Sequence, residues 1–246
     1  MDVMAVAASG MQHDLQRMET ISQNMANVLT PGYKKQIVTG SSFARQVDNG
    51  LGQATGGMVA SGAYPAVSLS IDPSAGTLRY TGNAQDVAID GPDFFEIAGK
   101  DGPAYTCQGG FRTDVRGRLV NAAGSPVMGA SGEIVLTGAY AIDPSGDVRQ
   151  GDRVVARLKM VRFANPEALV PLGGGAYGQG GARLAEQGAL GTPASVRVGY
   201  QENSNVSSPQ EMVRLTETVR HLEALQKIMQ GYDESLEKTI RKLGEF

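Results

Sequence analysis

The chain has 246 residues, 41% of them hydrophobic and 19% charged, which supports a core and fits one or two domains. A net charge of −3 offers no basic face to a nucleic acid, so none is expected as a partner. No apolar run approaches the ~20 residues that span a bilayer, which argues against membrane insertion, and the single cysteine, Cys107, allows no internal disulfide.

The first predicted element is a helix from about Asp2 to Val28, roughly 40 Å long at 1.5 Å per residue. Met4, Ala8, Met11, Leu15, Met18, Ser22, Met25 and Leu29 recur at spacings of four and three. That is a heptad seam, near the 3.5 period at which one helix stays facing another. Gly10 weakens this helix by about 1 kcal/mol relative to Ala, so it needs a partner. Its methionines are flexible and polarizable, which suits a surface that repacks against several neighbours. Pro31 disfavours helical geometry at Thr30 and Gly32 follows, so the helix stops there. Asp2 stands where a secretory leader would carry basic residues, and polar positions interrupt the apolar ones.

Residues 33–80 are rich in Gly, Ser and Ala and read as an extended, loop-like region. From Asp86 onward the signals are those of short strands. Val87 and Ile89 alternate with polar or small neighbours, as do Phe95 and Ile97 after the Gly91-Pro92-Asp93 turn, and Lys100-Asp101-Gly102 reads as a hairpin tip. Phe111, Thr113 and Val115 lead into the Arg116-Gly117 turn, and Val154, Ala156, Leu158 and Met160 form one alternating strand. Gly173 to Gly181 reads as a flexible loop, and no internal repeat is evident. The 33 glycines and this spacing predict a sandwich-like or barrel-like β-body.

The last element is a helix of about 36 residues, or ~54 Å. Ser208-Pro209-Gln210-Glu211 matches a capping box with Pro at the first helical position. Met212, Leu215, Val219, Leu222, Met229, Tyr232, Leu236, Ile240 and Leu243 form its apolar stripe. Glu223 with Lys227, Glu234 with Lys238 and Glu237 with Arg241 are i,i+4 pairs that solubilise its outer face. A helix this long needs a bundle or coiled-coil partner, and the first helix is the obvious one. The expected fold is therefore α+β: long N- and C-terminal helices pairing as a coiled coil, around a mainly antiparallel β-rich central body. The expected division is 1–32 with 205–246 as the helical domain, 33–80 as a linker and 81–204 as the body.

Candidate chemistry is thin. Gly173, Gly175 and Gly178 fit G-x-G-x-x-G but lack the following helix and the acid ~20 residues on that dinucleotide binding requires. His13 and His221 are the only histidines; both sit on helices without a ligand set and read as solvent-facing residues. Cys107 has no base beside it and reads as a strand residue. Asp86, Asp90, Asp93 and Glu96 cluster in sequence, but alternation along strands and turns sends them in different directions rather than facing as a glycosidase pair. No catalytic residue, metal or cofactor is expected.

Three blocks taken together resemble the rod and hook (axial) proteins of the bacterial flagellum. The first is Ile21-Ser22-Gln23-Asn24-Met25-Ala26-Asn27-Val28-Leu29-Thr30-Pro31-Gly32-Tyr33-Lys34, similar to a family pattern of Asn-Leu-Ala-Asn followed by Thr-x-Gly-Phe/Tyr. The second runs from Thr81-Gly82-Asn83 through Asp86, Ile89-Asp90-Gly91 and Phe94-Phe95 to Gly110-Phe111 and Gly117-Arg118-Leu119-Val120. The third is Glu202-Asn203-Ser204-Asn205-Val206, then Glu211-Met212-Val213 and Arg220-His221-Leu222-Glu223. The chain departs from the pattern at Met25, Asp93, Cys107 and Leu222, where the family commonly has Leu, Gly, Arg and an aromatic residue.

The resemblance implies a structural rod subunit without catalysis. It would leave the cytoplasm through the flagellar type III export apparatus and assemble in the periplasm, as part of the basal body, with copies of itself and other rod proteins. The short length argues against a hook protein. It favours the proximal (FlgF-like) branch over the distal (FlgG-like) one, whose members carry extra sequence after the first helix. The expected assembly interface is the seam of Met4, Met11, Leu15, Met18 and Met25 with Met212, Leu215, Val219, Leu222, Met229 and Leu236. The turn built from Asn24, Asn27, Thr30, Pro31, Gly32 and Tyr33 is expected to redirect the chain from helix to body. The alternative from a different class is a monomeric periplasmic binding or peptidoglycan-acting module with a ligand pocket.

Overall fold

The computed structural model describes residues 3–39, 68–185 and 195–243. Most of the predicted linker, 40–67, lies outside the described residues, as does the side chain of Leu236. The chain divides into two compact units. One holds residues 1–23, 37–69 and 208–246; the other holds 24–36 and 70–207. The fold is α+β. The N-terminal helix spans Val3–Ala26 and the C-terminal helix Ser208–Leu243. None of the described helices is long and apolar enough to cross a membrane.

The second unit is β-rich and its strand pairs are antiparallel. Its largest sheet has five strands in the order Met160–Arg162, Asp93–Ala98, Pro103–Thr106, Ala176–Gly178 and Val170–Gly173. Around it lie a three-stranded sheet (Ala141–Ile142, Asp147–Gln150, Arg153–Arg157) and two-stranded ribbons, rather than two continuous facing sheets. Successive side chains of a strand point to opposite faces. Phe95 and Ile97 therefore enter one core with Phe111, Leu119, Val127 and Leu158, while Phe94 enters a second with Tyr105, Phe163 and Tyr177. The second core is built on edge-to-face rings, Tyr105–Phe163 at 4.8 Å and Phe94–Phe163 at 5.9 Å. Asp93–Ala98 is buried on both faces except at its last residue, so its two acids, Asp93 and Glu96, are buried with it.

Two sequence expectations need correction here. Residues 173–178 are not a flexible loop: Val170–Gly173 and Ala176–Gly178 pair as a hairpin, so the G-x-G-x-x-G match is a strand–turn–strand. Nor do 154–160 form one strand. Arg153–Arg157 belongs to the three-stranded sheet and Met160–Arg162 to the five-stranded one.

A repeat also emerges that spacing alone hid. Asp114, Asn121 and Asp143 each begin a loop in which the side-chain Oδ1 accepts hydrogen bonds from the backbone N–H two and four residues on, at 2.8–3.1 Å. The fourth residue of each is a left-handed glycine: Gly117, Gly124 and Gly146, with φ of 77°, 83° and 80°. The anchor is Asp where an arginine reaches its second oxygen, Arg118 at 2.9 Å and Arg149 at 3.1 Å. It is Asn at the third loop, where the position equivalent to Arg118 is Ser125 and a buried carboxylate would lack that cation.

Candidate assembly site

The family-like turn after the first helix is the start of a buried polar hub. Asn24 behaves as a spare peptide unit. Its Nδ2 donates to the Gln36 carbonyl at 2.9 Å, and its Oδ1 accepts from the Gln36 N–H at 2.8 Å and the Tyr33 hydroxyl at 3.2 Å. Aspartate could not supply that donor. Thr30 donates its hydroxyl to Asn27 at 3.1 Å, and backbone bonds from Thr30 to Asn27 and from Tyr33 to Thr30 coil the chain through Pro31. Gly32 then passes so close to Cys107 and Gln108 that a Cβ would stand 2.5 Å from the Cys107 carbonyl carbon. Its N–H donates to the Glu202 carbonyl at 2.7 Å.

The next two residues complete the hub. Lys34 and Glu202 form an ion pair at 2.7 Å with side chains only 4% and 5% exposed. Lys34 also donates to the Ser74 carbonyl at 3.1 Å, and the same Glu202 oxygen accepts from the Gly76 N–H at 2.8 Å. Burial alone would lower the Lys34 pKa; the charges of Cys107, Glu202 and Asp72, with the Glu202 hydrogen bond, outweigh it and raise the pKa. The Lys34 N–H donates to the Tyr177 hydroxyl at 2.6 Å, and the Lys35 N–H to Asn205 Oδ1 at 2.6 Å. Asn205 Nδ2 in turn donates to the carbonyls of Asp72 and Ser74, both at 3.0 Å. Spacing along the chain could not pair Lys34 with Glu202 or Lys35 with Asn205. The available signal was that Lys34, Glu202 and Asn205 all lie inside the family-like blocks.

Cys107 sits one residue beyond the end of the strand Pro103–Thr106, buried against this hub. Burial pushes its thiol up to about 12; Lys34 opposes that rise, and Glu202 and Asp93 add to it. The folded value lies above the unfolded ~8.5, so the thiol's contribution to stability is complete below about pH 8.5 and declines as pH rises towards 12. At pH 8 Ellman's reagent should therefore react with Cys107 only as the chain unfolds. A reaction in native buffer as fast as in denaturant would contradict the burial.

The clustered acids take separate partners. Asp86 accepts from the Thr81 hydroxyl at 2.7 Å, Asp90 pairs with Arg197 at 3.2 Å, Asp93 with Arg162 at 2.6 Å and Glu96 with Lys159 at 2.8 Å. Arg162 grips Asp93 with two parallel bonds, which accounts for an acid where the family pattern has glycine. None of these is a facing pair.

On the terminal helices the deepest burial falls beside the predicted seam. Ala7, Gly10, Asp14, Thr20 and Ile21 are the buried positions described on the N-terminal helix within the first unit. Met4, Met11, Met18 and Met25 are half-buried, and Leu15 is 55% exposed. On the C-terminal helix Glu211, Thr218 and Leu225 are buried; Leu215, Val219, Leu222 and Met229 are half-buried and Met212 is exposed. Small and polar residues at buried positions are invisible to an apolar-periodicity reading. His221 is exposed, as expected of a solvent-facing residue, whereas His13 is not. His221 Nδ1 lies 2.5 Å from Asp14 Oδ2, a bond from one terminal helix to the other, and Asp14 is only 4% exposed. His13 is half-buried, and its Nε2 has no hydrogen-bond partner among the described residues.

Known families match the same three regions. Residues 4–34 match the flagella basal body rod protein family, 88–150 the D1 domain of the flagellar hook protein FlgE/F/G family, and 197–242 the C-terminal region of the flagellar basal body rod FlgEFG proteins. The flagellar basal-body rod protein FlgF of Mesorhizobium japonicum is 30% identical over 250 residues, covering 99% of this chain and 98% of its own. The chain belongs to the flagellar basal-body rod protein family. It is a structural subunit of the rod. The rod protein FlgG of Bacillus subtilis is 29% identical over 258 residues, covering 94% of this chain and 95% of its own. That of Buchnera aphidicola from Schizaphis graminum is 28% identical over 259 residues, covering 95% and 96%. In this rod protein the hub ties the first matched region to the last, Lys34 to Glu202, and the three Asx-anchored loops lie within the middle one.

Proposed function

We propose that this rod subunit is of the proximal, FlgF-like kind, acting without catalysis. The observation that carries the reading is the manner of the matches. The two FlgG matches extend over 258 and 259 residues yet cover only 94–95% of a 246-residue chain, so the FlgG chains hold insertions that this one lacks. The FlgF match extends over 250 residues and covers 99%. A proximal subunit is laid down before the distal one. It should therefore remain in basal bodies isolated from cells that lack the distal subunit. Its disappearance from those basal bodies would assign it to the distal segment instead.

In this reading the chain travels through the flagellar type III export apparatus and assembles in the periplasm with copies of itself and other rod proteins. Segments 1–32 and 205–246 pair as a coiled coil and form the inner layer, 33–80 connects, and 81–204 forms the outer body. The bond between Asp14 and His221 supports helix pairing, and the half-buried methionines leave surface for neighbours. Head-to-tail contacts that do not close generate filaments. The seam Met4, Met11, Leu15, Met18, Met25, Met212, Leu215, Val219, Leu222, Met229 and Leu236 would supply those contacts. Leu222→Asp should abolish rod assembly and motility while leaving the near-ultraviolet dichroism of the β-body unchanged. Normal swimming by that variant would remove Leu222 from the interface.

A further inference from the structure

The ribbon that pairs Leu78–Tyr80 with Tyr200–Glu202 presents an aromatic ring to solvent and holds it in place. Tyr80 is 70% exposed, although it stands directly opposite Tyr200 and the two rings meet at 5.2 Å, inclined by 58°. The ring also rests against two glycines. A Cβ on Gly199 would stand 3.3 Å from its Cε2, and one on Gly82 would stand 3.8 Å from its Cε1. Both glycines have positive φ, 81° and 73°, where a side chain is disfavoured, so the backbone beside the ring stays bare. A ring backed by main chain and flanked by a second ring has little freedom left to lose on binding.

The surroundings of the ring are neutral and polar. Alternation along the strand puts Leu78 on the side of Tyr80 and Arg79 on the other. Glu202, opposite Leu78, is buried on Lys34. Beyond Gly82, the Asn83 Nδ2 and the Gln85 side-chain amide have no partner among the described residues, and neither have the hydroxyls of Tyr80 and Tyr200. A charged ligand finds no counter-ion on this face. A stable protein contact needs roughly 800 Å² on each side, whereas an aromatic side chain supplies ~150–250 Å² when wholly covered, so Leu78, Tyr80 and Tyr200 are too few to hold one. A pyranose ring fits the face. Its axial C–H groups are drawn to the negative face of an aromatic ring, and its hydroxyls meet free amides at the rim.

We propose that Tyr80 is a stacking platform for a neutral glycan, the β-1,4-linked N-acetylhexosamine strand of the cell wall, with Asn83 and Gln85 bonding to its polar edge. The proposal rests on the rod-subunit reading, in which the chain assembles in the periplasm, where that glycan lies. One sugar on one ring is a weak contact. An array of subunits repeats the platform, so many weak contacts together seat the growing rod in the wall without fixing it.

The test titrates chitotetraose, the soluble β-1,4-linked N-acetylglucosamine tetramer, into the 15N-labelled full chain and follows the backbone amides by NMR. Saturable shifts are expected at Gly82, Asn83 and Gly199. Tyr80→Ala should weaken binding by roughly tenfold or more, and Tyr80→Phe, which keeps the ring, by no more than about twofold. Far-ultraviolet dichroism should be unchanged in both, since Tyr80 is exposed. No saturation up to the solubility limit, shifts confined to other residues, or equal affinity in Tyr80→Ala would overturn the platform. So would a loss in Tyr80→Phe as large as in Tyr80→Ala, or a proline-rich peptide that shifts these amides where the tetramer does not. Basal bodies isolated from cells carrying the wild-type chain separate the two readings. The chain present there, without Tyr80-dependent binding of the tetramer, refutes the platform alone. The chain absent there, with that binding intact, refutes the rod reading alone.

Discussion

Glu202→Gln is expected to lower the folding stability of the chain by about 3–5 kcal/mol, because it leaves the Lys34 ammonium buried without its counter-charge. That is a large share of the ~5–15 kcal/mol that holds a typical domain. Lys34→Met should cost a similar amount, since it strands the Glu202 carboxylate at 5% exposure with the Gly76 N–H as its remaining donor in the hub. The double variant Lys34→Met/Glu202→Gln should be more stable than either single one. Its amide oxygen still accepts from Gly76, its methionine fills the lysine stem's space, and no unpaired charge is left. Urea unfolding followed by tyrosine fluorescence, the chain having no tryptophan, reads all three. A double variant no better than the sum of the singles would show that the two charges are not coupled. The pH dependence has a definite sign. The Lys34 pKa is raised, so the pair's contribution is complete at neutral pH and is lost only as pH climbs through that raised value.

Gly32→Ala should be the most damaging single methyl group in the turn. The residue sits at φ 65°, where a side chain costs about 1–2 kcal/mol in any protein. Here the new Cβ would also stand 2.5 Å from the Cys107 carbonyl carbon and 2.6 Å from the Gln108 nitrogen, and backbone cannot swing aside as a side chain can. Moving the turn to relieve the clash breaks the 2.7 Å bond to the Glu202 carbonyl, worth about 1–3 kcal/mol once its donor is buried and unpaired. Together these come to roughly 3 kcal/mol or more, a fall in Tm of about 6–12 °C for a unit of this size. Gly124→Ala is the control. Its φ of 83° is equally left-handed, but a Cβ there meets nothing within 4 Å, so only the conformational cost should appear. Equal losses at the two sites would mean that the close approach to Cys107 contributes nothing.

Much of this was legible before any coordinates. Both helices were, because their signals are local: the stop at Pro31-Gly32 lies a few residues beyond the observed end at Ala26, and Ser208–Leu243 has the predicted start and length. The strands at Val87–Asp90 and Asp93–Ala98 were legible from alternation and a Gly-Pro turn. What failed did so for a reason. The hairpin at Val170–Gly178 carries four glycines, which hide strand periodicity. The Asx-anchored loops were missed because each is defined by side chain-to-backbone bonds rather than by hydrophobic pattern. The buried stripe Ala7, Asp14, Ile21 was missed because Asp14 owes its place to His221, 207 residues away. The motif residues Asn24 to Tyr33 were named from resemblance, but what they bond to could be read only from the fold.

The hub also has a consequence in time. Lys34 and Glu202 are 168 residues apart, Lys35 and Asn205 170, and Lys34 and Tyr177 143. Contacts this remote in sequence form late and slow folding, because the loop between them must close first. As the chain is made N-terminus first, its signature turn can draw early on the local bonds of Asn24 to Tyr33 and Gln36 and of Thr30 to Asn27, but the remote bonds that bury it wait until residue 205 has emerged. The lock therefore acts as a completeness check: a fragment still being delivered lacks the acid and the amide that would close it, and stays pliable until the far end arrives.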